Sequence, residues 1–212
     1  MNAKRLFIFD LDGTLADAYT AIEKSMNFTL RKLGLGPVTY EEVKKKVGRG
    51  DKRFIASFFP EKDEKKAIEI YRMHHKKSLL RYSKPRPYAR QLLYALKRRK
   101  KIIAIASNRP TYFTNLIIKK TGIGKYIDFV LCADKINSLK PKPKILNMIM
   151  RRFRVKKIDT VYIGDMDIDM ETAKSARLDA IFVTGGSSSL KSVKKYRKKV
   201  ISGLRKILTI YK

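Results

Sequence analysis

The strongest structural signal in the sequence is Leu6-Phe7-Ile8-Phe9-Asp10-Leu11-Asp12-Gly13-Thr14. Four consecutive apolar residues are typical of a buried strand in a parallel sheet that is covered on both faces. Asp10 and Asp12 follow the run directly, at the strand end where α/β sheets place their ligands. An unpaired buried charge is costly, so these acids require a metal, a cationic partner or access to water. The alternative is that they only open a turn, in which Gly13 supplies the unusual backbone angles.

Length and composition limit the class of protein. The 212 residues, 44% of them apolar, are enough for one domain with a large core, or a core plus an insert. No apolar run approaches the roughly 18 residues that span a bilayer, and the run Leu6 to Phe9 is too short for a signal peptide. The single cysteine, Cys132, excludes an internal disulfide and fits a reducing compartment. We therefore expect a cytoplasmic protein without a membrane partner.

The chain is strongly basic, with 50 Lys and Arg against 19 Asp and Glu and a net charge of +31. The basic runs, for example 97–101, 151–157 and 191–199, are spread along the chain and do not form one tail. Either the surface is simply lysine-rich and solvated, or the protein binds a polyanion such as nucleic acid. No nucleic-acid-binding motif accompanies the charge, so we favour the solvated surface. The sequence does not indicate an oligomeric state.

The periodicity of apolar residues predicts the order of the elements. From Leu15 to Leu33 apolar residues recur at helical spacing, and further helices are predicted as far as Leu80, one of them opened by a capping box of Thr39 and Glu42. No strand is predicted between residues 15 and 84. Strands then alternate with helices, at 102–106, 129–132, 160–163 and 180–183, with an edge strand at 200–201. The prediction is an α/β fold, a Rossmann-like parallel sheet core at 1–14 and 85–212 with an inserted all-helical cap domain at 15–84.

Polar residues follow three of the predicted strands. Asp10 and Asp12 end the first, Ser107 and Asn108 end the second, and Asp165 follows the fourth. Because parallel strands end at one edge of the sheet, we expect these groups to converge.

Two further features concern charge at that edge. The eight residues 164–171 contain four acids, which repel one another unless a cation bridges them; hard oxygen ligands suit Mg²⁺. The alternative, that acids here only favour a helix N-terminus, explains Asp169 better than Asp165. Lys140, held on a stiff turn by Pro141, can present a fixed positive charge to an anion.

Together these segments resemble the four motifs of the haloacid dehalogenase superfamily. They are Asp10-Leu11-Asp12-Gly13-Thr14, Ser107-Asn108-Arg109-Pro110, Lys140-Pro141-Lys142-Pro143, and Gly164-Asp165 with Asp169 four positions on. The order and approximate spacing match over almost the whole chain. The helical insert resembles the cap of the branch that includes phosphoglycolate phosphatases and β-phosphoglucomutase, and Val47-Gly48-Arg49-Gly50 resembles a cap loop of the former. One departure is Arg177, where relatives usually have glycine at a helix end.

The resemblance implies a role for each site residue. Asp10 would be the nucleophile that forms an aspartyl-phosphate, and Asp12 the general acid and base. Mg²⁺ would be held by the Asp10 side chain, the Asp12 main-chain carbonyl and Asp165, with Asp169 bound directly or through a water. Ser107, Asn108 and Lys140 would bind the phosphoryl oxygens, and Arg49 could reach a second anionic group of the substrate.

The implied function is a Mg²⁺-dependent phosphatase that hydrolyses a small phosphomonoester and is phosphoglycolate phosphatase-like. Dehalogenation is disfavoured because the dehalogenases of the superfamily lack the second acid, here Asp12. Two alternatives stay open. A sugar phosphomutase of the β-phosphoglucomutase type would use the same aspartyl-phosphate but return the group to a sugar. A nucleic-acid-binding protein on this scaffold would use the +31 charge.

Overall fold

The computed structural model describes residues 4–211 and contains an α/β fold around a six-stranded sheet. The strands in this part of the chain are β1 (Leu6–Phe9), β2 (Ala16–Asp17), β3 (Lys84–Pro85), β4 (Ile102–Ser107), β5 (Phe129–Cys132), β6 (Thr160–Gly164), β7 (Asp179–Val183) and β8 (Lys199–Ile201). Six of them form the sheet in the order β5-β4-β1-β6-β7-β8, and every neighbouring pair is parallel. The predicted α/β class with a parallel sheet is confirmed.

Helices cover the sheet and fill the segment between β2 and β3. They are α1 (Tyr19–Lys32), α2 (Tyr40–Lys46), α3 (Asp51–Ala56), α4 (Glu64–Tyr82), α5 (Ala89–Arg98), α6 (Thr111–Thr121), α7 (Lys144–Phe153), α8 (Asp167–Ala176), α9 (Leu190–Val193) and α10 (Ile207–Ile210). Among residues 4–211, no helix combines the length and the hydropathy that a membrane-spanning helix needs.

The central strand β1 is buried on both faces, as its continuous apolar run predicts. Phe7 and Phe9 join the core on one side of the sheet, and Leu6 and Ile8 join the core on the other side. Side chains of a strand alternate between faces, so a strand between two helical layers must be apolar at every position. Burial of these four side chains fixes β1 at the centre of the sheet and thereby fixes the position of Asp10.

The segment between β2 and β3 has a hydrophobic cluster of its own. The cluster includes Ile22 and Met26 of α1, Ile55 of α3 and Tyr71 of α4. Its separation from the two clusters that flank the sheet supports the predicted division into core and cap, which stays a prediction. We call residues 15–84 the helical segment below. The predicted capping box at its α2 is present, with Thr39 and Glu42 bonded reciprocally.

One sequence prediction about this segment was wrong. Residues 16–17 and 84–85 form a two-stranded antiparallel ribbon, β2 with β3, where no strand was predicted between 15 and 84. Two residues carry no periodicity, so such a ribbon leaves no pattern to detect. It joins the start and the end of the helical segment. The strands predicted for the sheet, in contrast, are all present with ends that differ by at most one residue.

Candidate active site

Three buried carboxylates meet beyond the carboxyl ends of β1 and β6. Asp10, Asp165 and Asp169 each place a carboxylate oxygen within 4.8 Å of the other two. Asp10 follows β1, Asp165 follows β6, and Asp169 lies in the first turn of α8. The convergence expected from parallel topology therefore occurs, and it joins residues more than 150 positions apart.

Lys140 lies inside this group of acids. Its Nζ is 2.6 Å from Asp10 Oδ1, 2.7 Å from Asp169 Oδ1 and 3.1 Å from the hydroxyl of Tyr162. The Tyr162 hydroxyl also donates to Asp169 Oδ1 at 2.7 Å. All four side chains are nearly inaccessible to solvent, so each buried charge depends on the others for compensation.

Asp165 is oriented by neutral donors. Its Oδ1 accepts from the Thr14 hydroxyl at 2.8 Å, and its Oδ2 accepts from the Ser187 backbone N–H at 2.8 Å and from the Tyr19 hydroxyl at 3.1 Å. Gly13 lies against the same carboxylate with φ +81°, and a Cβ there would overlap it. Glycine is therefore required here for two reasons, the left-handed backbone angle and the lack of room for a side chain beside Asp165.

Ser107 and Asn108 occupy the end of β4, next to Lys140. Asn108 Oδ1 accepts from the Lys140 backbone N–H at 2.8 Å, and its Nδ2 donates to the Gly48 carbonyl of the helical segment, also at 2.8 Å. Ser107 Oγ accepts from the Arg109 backbone N–H at 3.1 Å. Asn108 therefore links the motif at Lys140 to the segment that covers the sheet edge.

Asp12 is separate from the acid cluster and is paired with Arg109. Arg109 Nε donates to Asp12 Oδ2 at 2.8 Å, and Nη2 donates to Oδ1 at 3.0 Å. This two-pronged contact fixes the plane of the carboxylate. Nη1 of the same guanidinium contacts His75 Nε2 at 2.7 Å.

A cavity lies between the sheet edge and the helical segment. On the sheet side it is lined by polar residues, which are Asp10, Asp12, Ser107, Asn108, Arg109 and Lys140. On the opposite side apolar and aromatic residues dominate, among them Ile22, Phe54 and Tyr71. Gly48 and Gly50 also line it, whereas Arg49 between them is exposed and is not among the lining residues. Asp165 and Asp169 do not line the cavity either, but they join Asp10 in the acid cluster, whereas Arg49 joins neither.

Electrostatics at the cluster favour an added cation. Burial raises the pKa of Asp10 well above its ordinary value, although the Lys140 ammonium opposes the shift. Burial and then the charge of Asp169 raise the pKa of Asp165 to about 6. Burial alone would lower the pKa of Lys140, but Asp10 and Asp169 hold it well above its ordinary value. One ammonium does not balance the charge of three buried carboxylates. Their oxygens are hard ligands, so the cluster fits a divalent cation such as Mg²⁺.

Sequence reasoning missed several residues of the site. Arg109 was quoted in a motif without a role, and Thr14, Tyr19 and Tyr162 were not singled out. His75, which the sequence analysis does not name, is buried and stacks on Tyr71, and it also contacts Arg109. The Ser-Asn-Arg-Pro motif was the one available signal, since it places an arginine directly after two predicted phosphate-binding residues.

Comparison with known proteins gives a family match and several similar proteins. A family model described as haloacid dehalogenase-like hydrolase matches residues 7–183. A phosphoglycolate phosphatase from Aquifex aeolicus is 27% identical over 188 residues, which cover 89% of this chain and 88% of that protein. A crystal structure of a predicted phosphatase from Clostridium acetobutylicum is 27% identical with a TM-score of 0.85, covering 98% of this chain and all of that one.

A crystal structure of a predicted phosphoglycolate phosphatase from Haemophilus somnus shares the fold, with a TM-score of 0.91 at 23% identity and full coverage of both chains. The family model spans most of the sequence and includes the segments that supply Asp10, Ser107, Lys140 and Asp165. The fold, the order of the four motifs and the family match lead to one conclusion. The chain belongs to the haloacid dehalogenase-like hydrolase family.

Proposed function

We propose that this hydrolase is a Mg²⁺-dependent phosphatase that removes phosphate from a small phosphomonoester through an aspartyl-phosphate intermediate. The observation that carries the proposal is the gathering of Asp10, Lys140, Asp165 and Asp169 in one buried cluster beside the cavity. The name of the Aquifex aeolicus relative, a phosphoglycolate phosphatase, favours a small phosphorylated acid as substrate.

Each side chain has a part in the proposed reaction. Asp10 attacks phosphorus, and the phosphoryl group transfers to its carboxylate. Asp12 gives a proton to the leaving oxygen and later takes one from the water that hydrolyses the aspartyl-phosphate. Lys140, Ser107 and the Asn108 amide bind the phosphoryl oxygens and stabilise charge as it spreads over them.

The metal site would consist of Asp10, the main-chain carbonyl of Asp12, Asp165 and Asp169. When bound, the divalent cation reduces repulsion between the Asp10 carboxylate and the anionic phosphate and offsets charge in the transition state. Thr14, Tyr19 and the Ser187 N–H hold Asp165 in orientation for this role, and such supporting contacts tune metal affinity.

The helical segment would exclude water and select the substrate. Its contacts to the core at this site include Asn108 Nδ2 with the Gly48 carbonyl and the Ser187 hydroxyl with the Lys44 carbonyl. The residues on its side of the cavity are mostly apolar, so we expect the part of the substrate beyond the phosphate to be a small organic group.

The test is a screen of small phosphomonoesters, including 2-phosphoglycolate and sugar phosphates, with and without Mg²⁺. We expect release of inorganic phosphate that depends on Mg²⁺. Conversion of a sugar phosphate to an isomer without free phosphate would contradict the hydrolase and indicate a phosphomutase. Tight, salt-sensitive binding of duplex DNA together with no phosphatase activity would contradict it in favour of a nucleic-acid-binding role.

A further inference from the structure

Asp12, the proposed acid and base, is connected to the helical segment through two residues. Arg109 engages both oxygens of Asp12, and its Nη1 lies 2.7 Å from His75 Nε2. Arg109 follows β4, whereas His75 belongs to α4 of the helical segment. The connection therefore crosses the cavity from the sheet edge to the segment that covers it.

The donor groups determine the direction of each hydrogen bond between Arg109, His75 and Ser25. A guanidinium only donates, so His75 Nε2 must accept and the imidazole proton must lie on Nδ1. Nδ1 is 3.0 Å from Ser25 Oγ, which in turn donates to the Ala21 carbonyl at 2.7 Å. His75 is fully buried, and burial and then the charge of Arg109 hold its pKa well below its ordinary value. A neutral imidazole suits this position because it accepts from Arg109 without adding charge.

The ring of His75 is fixed by packing as well. It stacks on Tyr71 with centroids 4.7 Å apart and meets Phe113 edge-on at 5.1 Å. Rotation of the ring would break either the contact with Arg109 or the contact with Ser25. The imidazole is therefore a rigid acceptor aimed at the guanidinium.

We infer that Arg109 and His75 are positioning residues for Asp12: Arg109 aligns the carboxylate, and His75 holds Arg109 from the helical segment. The inference rests on the proposed function, because it concerns proton transfer to the leaving oxygen. Without His75, Arg109 Nη1 loses its acceptor, and the guanidinium and the Asp12 carboxylate that it holds can rotate more freely. Misalignment of a general acid costs most when the leaving group is a poor one that needs the proton.

The test compares two aryl phosphates whose leaving phenols differ strongly in acidity. We measure kcat/KM for phenyl phosphate and for 4-nitrophenyl phosphate in the Mg²⁺-loaded enzyme. His75→Phe keeps the aromatic packing but removes the acceptor, whereas His75→Gln keeps an acceptor but removes the ring. We expect His75→Phe to lose about tenfold on phenyl phosphate and much less on 4-nitrophenyl phosphate, and His75→Gln to stay near wild type on both.

Arg109→Lys gives an independent measurement, because a lysine keeps the charge but cannot engage both oxygens. It should show the same dependence on the leaving group, with a larger loss. Met73→Phe is the matched control: Met73 lies two positions away on α4 and is 69% exposed, and this variant should leave both rates unchanged. Melting temperatures check that each variant is folded.

If the wild type is active, three results would overturn the inference. The first is that His75→Phe loses the same factor in kcat/KM on both esters. The second is that His75→Phe keeps its activity while His75→Gln loses it, and the third is that neither variant loses activity. The first two indicate a packing role only. If the wild type hydrolyses neither ester with Mg²⁺, the proposed function itself fails, and the inference fails with it.

Discussion

Lys140 Nζ lies 2.6 Å from Asp10 Oδ1, although 130 positions separate the two residues in the chain. The ammonium also contacts Asp169 Oδ1 at 2.7 Å, so one cation serves two buried acids. This arrangement places the proposed nucleophile beside a group that can also hold a phosphoryl oxygen. Lys140 should therefore affect both the stability of the folded protein and the rate of the reaction.

Lys140→Met should destabilise the metal-free protein at neutral pH. The substitution leaves Asp10 and Asp169 buried without their cation, and the loss of one partner of a buried ion pair costs about 3–5 kcal/mol. Activity should fall at least about a hundredfold, because a charge that stabilises the transition state is lost. Urea unfolding and turnover of 4-nitrophenyl phosphate measure the two effects.

The neighbouring lysine provides the control for that experiment. Lys142 is exposed, and Lys142→Met should change the free energy of unfolding by less than about 0.5 kcal/mol. Equal effects of the two substitutions would show that the position of Lys140 in the acid cluster has no special importance.

The raised pKa of Asp165 should make the stabilisation of the fold by Mg²⁺ depend on pH. Burial raises its pKa to about 6 from the ordinary 3.8, so in that window the folded chain binds more protons than the unfolded chain. Its contribution to the free energy of unfolding therefore falls as the pH rises from about 4 to 6. Mg²⁺ requires the ionised carboxylate, so it should raise the melting temperature more at about pH 7.5 than at about pH 5.

The variant Asp165→Asn tests the source of that dependence. An amide removes one charge from the cluster, so the metal-free variant should be at least as stable as the wild type at neutral pH. It should also lose most of the stabilisation by Mg²⁺. A variant that responds to Mg²⁺ as strongly as the wild type would exclude Asp165 from the metal site.

Gly186 should tolerate no side chain. A Cβ at this position would overlap the Asp165 carboxylate. Gly186→Ala should therefore displace Asp165 and weaken Mg²⁺ binding by about ten- to a hundredfold, the range seen when contacts that orient a metal ligand are lost. Gly203→Ala, where a Cβ would meet no atom within 4 Å, is the control and should bind Mg²⁺ normally. Normal binding by both variants would contradict the assignment.

Arg177 offers a test of the fold that is independent of the site. It ends α8 in the left-handed region, with φ +58°, where glycine is favoured. Arg177→Gly should raise the free energy of unfolding by about 1 kcal/mol. Lys174→Gly, on the exposed side of the same helix, should lower it by about the same amount. A loss of stability in both variants would show that the arginine side chain stabilises the helix end.

The sheet could be predicted from the sequence because its strands are buried on both faces. A continuous run such as Leu6–Phe9 is visible without any partner, and parallel topology then brings Asp10, Ser107 and Asp165 to one edge. The candidate site residues could be proposed from the sequence because this topology brings them together. The ribbon of β2 with β3 was too short to leave a pattern.

The polar contacts between distant segments could not be predicted. Arg109 contacts Asp12 across 97 positions and His75 across 34, and nothing in the local pattern around any of them indicates the partner. In the sequence His75 follows Ala67 and Tyr71 at helical spacing, a pattern that indicates packing and gives no sign of the contact with Arg109. Arg49 shows the opposite case, since a glycine-flanked arginine looked suited to an anion but its side chain is exposed outside the cavity lining.

If Asp10 is the nucleophile, replacing its carboxylate by an amide in Asp10→Asn should stop the reaction. We would measure turnover of 4-nitrophenyl phosphate in excess Mg²⁺ and confirm by thermal melting that the variant is folded. We expect a folded protein whose rate is lower by at least about a thousandfold, because an amide cannot form the aspartyl-phosphate. A folded Asp10→Asn protein that retains most of its activity would contradict this role for Asp10.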